Sequence, residues 1–312
     1  MIRQILLLIL TICLSVYLVI YSEFFEFELS SNQSEAFYNM LLLYLGSASY
    51  CFIAGELTKN YSQVDRFWST IPLVYCWYFT YASGMDERLI LMSSLISIWG
   101  IRLSFNFSRK GGFSIIPWKG VEDYRWEVLQ RDVAAFKSKL NWSLFNFFFI
   151  CLYQLGLIFL FSLPILAAWQ GSNPLSYIDI IIAGVLFLLI IIQTISDEQQ
   201  HKFQTLKYDK IHKGEKLSGN FKKGFIDYGL WKYSRHPNYT CEQLIWITFY
   251  FFSVSANGKL LNWSIIGCVL LVILFYFSAK FSESISSKKY PEYNNYQNNT
   301  PMFIGYKQKN HE

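Results

Sequence analysis

The chain has 312 residues, 53% of them hydrophobic and 19% aromatic, against only 16% charged. That balance excludes an ordinary water-soluble domain and predicts a polytopic membrane protein, with several apolar windows near the ~20 residues needed to cross a hydrocarbon core. The net charge of +5 lies in loops, where it suits anionic headgroups or an anionic cofactor and argues against nucleic acid as a partner.

Taken in chain order, hydropathy predicts an all-α membrane bundle of about eight spans, at residues 5–21, 36–55, 67–83, 89–107, 144–169, 177–195, 241–256 and 260–277. The first follows Arg3 and has no small-residue cleavage site after it, in Tyr21 to Glu26, so it reads as an anchor helix and not as a signal peptide. The last two spans are short and closely joined, which predicts a tight helical hairpin. Loops poor in basic residues, one of them with only Lys259, alternate with loops holding Lys59 and Arg66, Arg109 to Lys139, and Lys202 to Arg235, and with the lysine-bearing tail after Phe277. By the positive-inside rule the basic loops and both termini face the cytoplasm. The membrane would be the endoplasmic reticulum in a eukaryote and the inner membrane in a bacterium. No linker or repeat divides the chain, so residues 1–312 read as one membrane domain.

Six cysteines are scattered singly and four histidines are too dispersed for a metal centre, so no metal is expected. No Walker loop, GxSxG elbow, HExxH pair or GxGxxG fingerprint is present. The chemistry-bearing residues lie elsewhere. Asp65 and Arg66 open the third span, and Arg102 sits inside the apolar run of the fourth, where it needs a carboxylate or phosphate nearby. After the sixth span comes Ser196-Asp-Glu-Gln-Gln-His-Lys-Phe203. Asp197 and Glu198 there oppose the helix dipole, and Asp197, Gln200 and His201 share a face that suits hydroxyl or amide groups of a cofactor.

Gly229 to Trp246, which includes Tyr233-Ser-Arg235-His236-Pro-Asn238-Tyr239-Thr-Cys-Glu242, is the densest cluster of polar chemistry in the chain. Pro237 suits the first turn of a helix, so the segment reads as a loop entering a membrane helix, with Arg235 beside a positive N-terminus able to take phosphate. Arginine, tyrosine and tryptophan at a boundary also serve as anchors. Glu242, a turn inside the helix, is not explained that way. In the tail, Glu283 precedes Tyr290, Tyr293 and Tyr296, whose spacing suits either stacking on a flat ring or simple packing.

On these residues the chain resembles the steroid 5-alpha-reductase-like superfamily, and most closely the DUF1295 group. The likeness is carried by Asp197 with Gln200 and Phe203, by Gly229 to Glu242, by Glu283 and by the Tyr290 to Pro301 run, with weaker support from Val64 to Ser69, Arg88, Trp99 to Leu103 and Glu122 to Arg125. It makes 1–60 a variable anchor region and 61–304 the reductase-like region. It implies an NADPH-dependent reductase of a carbon–carbon double bond in a steroid, sterol or other lipid, with a cofactor cavity among the C-terminal helices open to the cytosol and an apolar substrate entering from the bilayer.

The resemblance also implies site roles. Asn238 and Asp197 would contact the nicotinamide or ribose, Arg235 and His236 the diphosphate, and Tyr293 and Tyr296 the adenosine. Gln200, Tyr233 and Glu283 complete the expected cofactor set, and Tyr239 and Glu242 are the candidate proton donors. Cys241 departs from the glycine that many relatives carry there. An S-adenosylmethionine-dependent methyltransferase of the isoprenylcysteine or phospholipid type shares the Arg-His-Pro-x-Tyr element, but typically has paired glutamates where this chain has Ser282-Glu283-Ser284. A non-catalytic lipid-binding relative is the third alternative, since fold does not fix function.

Overall fold

The computed structural model describes residues 27–114 and 119–304. The expected anchor helix 5–21 and both chain ends lie outside the described residues. Among the described residues the fold is all-α, without strands. Its helices are α1 (Ser31–Thr58), α2 (Gln63–Trp68), α3 (Ile71–Ala82), α4 (Glu87–Ser108), α5 (Tyr124–Asp132), α6 (Lys139–Phe145), α7 (Gln154–Ser162), α8 (Pro164–Gln170), α9 (Tyr177–His212), α10 (Pro237–Asn257), α11 (Ile265–Lys289) and α12 (Tyr293–Asn299).

Five helical segments among the described residues are long and apolar enough to cross a membrane: α1, α4, the run Lys139–Gln170, α9 and α11. The protein is therefore a helical membrane protein. Of the other expected spans, 67–83 is represented by α3, whose 12 residues are short for a crossing. The span 241–256 falls in α10, made less apolar by Asn238, Thr240, Glu242 and Gln243. Leu42, Ile53, Leu57, Ile101 and Phe105 point outward and are well exposed, as lipid-facing side chains are. In water such a surface would be an aggregation liability.

The contacts divide the chain into two compact units, Met1–Gly184 with Ile247–Leu271, and Val185–Trp246 with Val272–Glu312. In the first, Lys139–Gln170 is the hub, with 78% of its apolar window buried against 28% for α1. A π-helical stretch, Asn146–Tyr153, interrupts it and turns the Asn146 amide toward Glu56 Oε1 at 2.9 Å. Thr80 and Ser93 join α3 to α4 at 2.7 Å. Gly267 lets α11 approach the Leu160 and Phe161 backbone, where an added Cβ would lie 2.4 Å from main-chain atoms. The turn between α10 and α11 is closed by Tyr250, whose hydroxyl donates to the Leu260 carbonyl at 2.8 Å, and by Asn262, whose amide reaches Ser253 Oγ at 2.9 Å. The expected hairpin turn is thus present.

Two charged clusters organise this unit. Arg88 grips Asp179 through Nε at 2.9 Å and Nη2 at 3.2 Å, and also donates to the Asn173 and Pro174 carbonyls. Near α2, Glu122 accepts from the Tyr61 amide at 2.6 Å, and Asp123 is held by Arg125. Asp65 lies close to this acidic pair, with Oδ2 buried and without a donor. Burial and, after it, the Asp123 charge push the Asp65 carboxyl up to about 6.

Candidate functional site

Every candidate site residue lies in the second unit. Helix α9 runs to His212 instead of ending near residue 195. Asp197 and Glu198 are therefore well inside a helix, and the dipole argument that made them conspicuous does not apply. What engages Asp197 is local: Asn238, at the start of α10, donates from Nδ2 to Asp197 Oδ1 at 3.2 Å. The Asn238 carbonyl-type oxygen accepts from the Tyr239 amide at 3.0 Å, which fixes the orientation of the side chain.

One turn further along α10, Glu242 is 4% exposed. Gln193 Nε2 donates to its Oε2 at 2.6 Å and Trp246 Nε1 to its Oε1 at 3.1 Å. Since a carboxylate can only accept these bonds, Gln193 must present Nε2 to it, leaving Gln193 Oε1 as an acceptor. That oxygen, Ser196 Oγ and Gln200 Oε1 are all buried and have no partner. Their spacing places them on one face of α9. A buried polar atom left unpaired costs about 1–3 kcal/mol, so three along one helix face call for a ligand or water with donors.

Arg235 has a different setting. Its Nε and Nη2 bond both oxygens of Glu283, at 2.5 and 3.1 Å, and Nη1 donates to the carbonyls of Gln297 and Thr300. His236 Nε2 adds a third contact to Glu283, at 3.0 Å, and Gln297 Nε2 a fourth, at 2.9 Å. The backbone amides of Arg235 and His236 are taken by the Pro301 and Met302 carbonyls, at 2.9 and 3.1 Å. Pro237 does begin a helix. The two amides just before it face the protein's own tail, and the guanidinium, read from sequence as able to take phosphate, faces Glu283.

A family model described as "Protein of unknown function (DUF1295)" matches residues 51–300, a stretch that contains this whole cluster. The chain belongs to the DUF1295 family. A Schizosaccharomyces pombe protein, described as "Uncharacterized protein C594.04c", is 33% identical over 267 residues, covering 79% of this chain and 73% of its own. No solved structure matches.

In this DUF1295 protein the structure thus gathers the expected residues into two groups. Asp197, Gln200, Asn238 and Glu242 surround the unpartnered face of α9, and Arg235, His236 and Glu283 form a buried ion-pair network tied to the tail. Tyr239 links them, stacking on the His236 ring at 5.2 Å and meeting Phe275 edge-on at 4.9 Å. Tyr293 and Tyr296 pack on Phe225, at 5.0 and 5.3 Å, and the Tyr296 hydroxyl donates to the Trp231 carbonyl. Burial, then the neighbouring Tyr293 and Asp227, push that phenol's pKa up. These tyrosines are used for packing here. Tyr233 is 73% exposed and stands apart from both groups.

Among the described residues no set of three or more His, Cys, Asp or Glu side chains could hold a metal ion. The residues that sequence reading passed over are Gln193, Ser196, Trp246 and Gln297. Two carried a signal: Gln193 is a lone amide in an apolar run four residues before Asp197, and Trp246 stands four residues after Glu242.

Proposed function

We propose that this protein is a membrane-embedded, NADPH-dependent reductase of a carbon–carbon double bond in a steroid, sterol or other lipid. The observation that carries the reading is the row of buried acceptors without donors, Gln193 Oε1, Ser196 Oγ and Gln200 Oε1, beside the Asp197–Asn238 pair. Ribose hydroxyls and a nicotinamide carboxamide are donor-bearing groups that fit such a face. NADPH supplies the hydride when bound.

The chain's own residues then have separable tasks. Asn238, fixed by Asp197 and by the Tyr239 amide, orients the ligand. Both Glu242 oxygens are already engaged by Gln193 and Trp246, so Tyr239 is the better placed of the two proton donors. Arg235 and Glu283 hold the tail against the start of α10 and shape the site without presenting free charge to a diphosphate. The full proposal includes eight crossings, cytoplasmic termini, and a cavity opening to the cytosol where NADPH is available. The substrate enters from the bilayer among the apolar faces, and membrane lipids are its surroundings.

The test is cofactor-dependent melting of the detergent-purified protein. NADPH at about 100 times its dissociation constant should stabilise by ~2.7 kcal/mol, S-adenosylmethionine should do nothing, and Asn238→Ala should lose the response while still melting cooperatively as a folded protein without ligand. Protection by S-adenosylmethionine alone would replace the reductase with a methyltransferase. Protection by neither leaves a lipid-binding protein.

A further inference from the structure

Lys207 lies on α9 beyond the residues just described, and it is 4% exposed. Its ammonium donates to the Gly224 carbonyl at 2.9 Å and approaches the Tyr290 hydroxyl at 3.5 Å. Three rings enclose it, with centroids at 4.9 Å for Tyr208 and 5.7 Å for both Phe203 and Tyr290. A second cation lies beside the same Tyr290 ring, Lys289 Nζ being 5.4 Å from its centroid. Among the described residues neither lysine forms an ion pair with a carboxylate.

A buried ammonium without an opposite charge is expensive, and a second ammonium sharing its ring makes it more so. The negative end of the α11 dipole accounts for Lys289, at the last residue of that helix, but not for Lys207. One carbonyl and the faces of three rings offset part of the cost of burying Lys207. They leave the charge of the pair unneutralised. The setting is rigid: Gly224 has φ +82°, and a Cβ there would lie 2.3 Å from the Tyr290 ring, so the glycine lets that ring rest on the backbone. Lys289 and Tyr208 are exposed, which opens one side.

From this geometry we infer that Lys207, Lys289 and the Tyr290 hydroxyl form a binding site for a phosphomonoester. Two ammonium groups match the charge of roughly −1.5 to −2 that such a group carries at neutral pH, which a carboxylate or a phosphodiester does not. The phenol supplies a further donor to a phosphate oxygen. The source is either a lipid headgroup of the phosphatidic acid kind or a free phosphate. The inference does not rest on the reductase reading, since it shares no residue with the face of α9 that carries that reading.

The test uses the full-length protein in two arms. In detergent, melting is followed against inorganic phosphate at constant ionic strength, with chloride as reference. In lipid nanodiscs, phosphatidic acid is compared with phosphatidylglycerol, a phosphodiester, in a neutral background. A saturable response to inorganic phosphate identifies free phosphate as the source, and one confined to phosphatidic acid identifies the lipid. In whichever arm responds, Lys289→Gln should weaken binding about five-fold, the order expected for one exposed charge pair, and Lys207→Gln should abolish it. Should Lys207→Gln fail to fold, the surface variant Lys289→Gln still decides. The inference is overturned if inorganic phosphate does no more than chloride and phosphatidic acid no more than phosphatidylglycerol, or if Lys289→Gln leaves the affinity unchanged.

Discussion

Replacing Arg235 by methionine removes the cation from a buried carboxylate. In the native protein Glu283 is 4% exposed and accepts from Arg235 twice, from His236 and from Gln297. After the change only the last two remain, and the Gln297 and Thr300 carbonyls lose their donor. Breaking a buried pair from one side costs about 3–5 kcal/mol, a large share of a total stability of about 5–15 kcal/mol. Removing both charges together should cost much less, because no uncompensated charge is left behind. Arg235→Met should therefore lower the melting temperature of the detergent-purified protein by on the order of 10 °C, Glu283→Met should be similarly harmful, and the double variant should recover at least half of the loss of either. Tryptophan fluorescence can follow all four proteins as a double-mutant cycle. Additive losses, or a single change costing less than about 1 kcal/mol, would show that the network is not a coupled unit and that Arg235 is free to serve a ligand.

Asp65 gives a dependence on pH. Its folded-state pKa is raised to about 6, so the folded chain holds this proton more tightly than the unfolded one, and stability falls as pH rises from the ordinary carboxylate range to about 6. Asp65→Asn should flatten this slope and leave the protein at least as stable as wild type at pH 7.5, by up to about 3 kcal/mol; a variant less stable at pH 7.5 than at pH 5, relative to wild type, would contradict the assignment. At the contact of α7 with α11, Gly267→Ala forces main chains apart and should destabilise by about 1–3 kcal/mol, read as a lowered melting temperature, whereas Gly184→Ala, with nothing within 4 Å of the added Cβ, should not.

Composition and periodicity made the helical membrane character legible, because long apolar runs admit few alternatives in a bilayer. They placed the start of α10 correctly, since Pro237 has few positions open to it. They failed at the end of α9. The window closed where the run of apolar residues stopped near Ile195, but the helix continues to His212, with Asp197 bonded by Asn238 and Gln199 by the Leu230 amide. Side-chain partnership was the other gap. Arg235 and Glu283 are 48 residues apart, and nothing in local spacing distinguishes an arginine awaiting an anion from one already holding a glutamate. The same holds for Tyr293 and Tyr296, where the spacing allowed either stacking on a ligand or packing, and the rings pack on Phe225. Gln193 was accessible in principle, as an amide in an apolar run at helical spacing from Asp197.

The central claim is hydride transfer to a lipid, and isotope tracing tests it most directly. Membranes containing the wild-type protein or Asn238→Ala would be incubated with NADPH deuterated at the transferable position, and their lipids analysed by mass spectrometry. The account predicts a lipid that gains one deuterium and one solvent-derived proton across a former double bond in the wild-type sample only. Membranes in which NADPH stabilises the wild-type protein, yet no lipid acquires the label from either face of the nicotinamide, would contradict it.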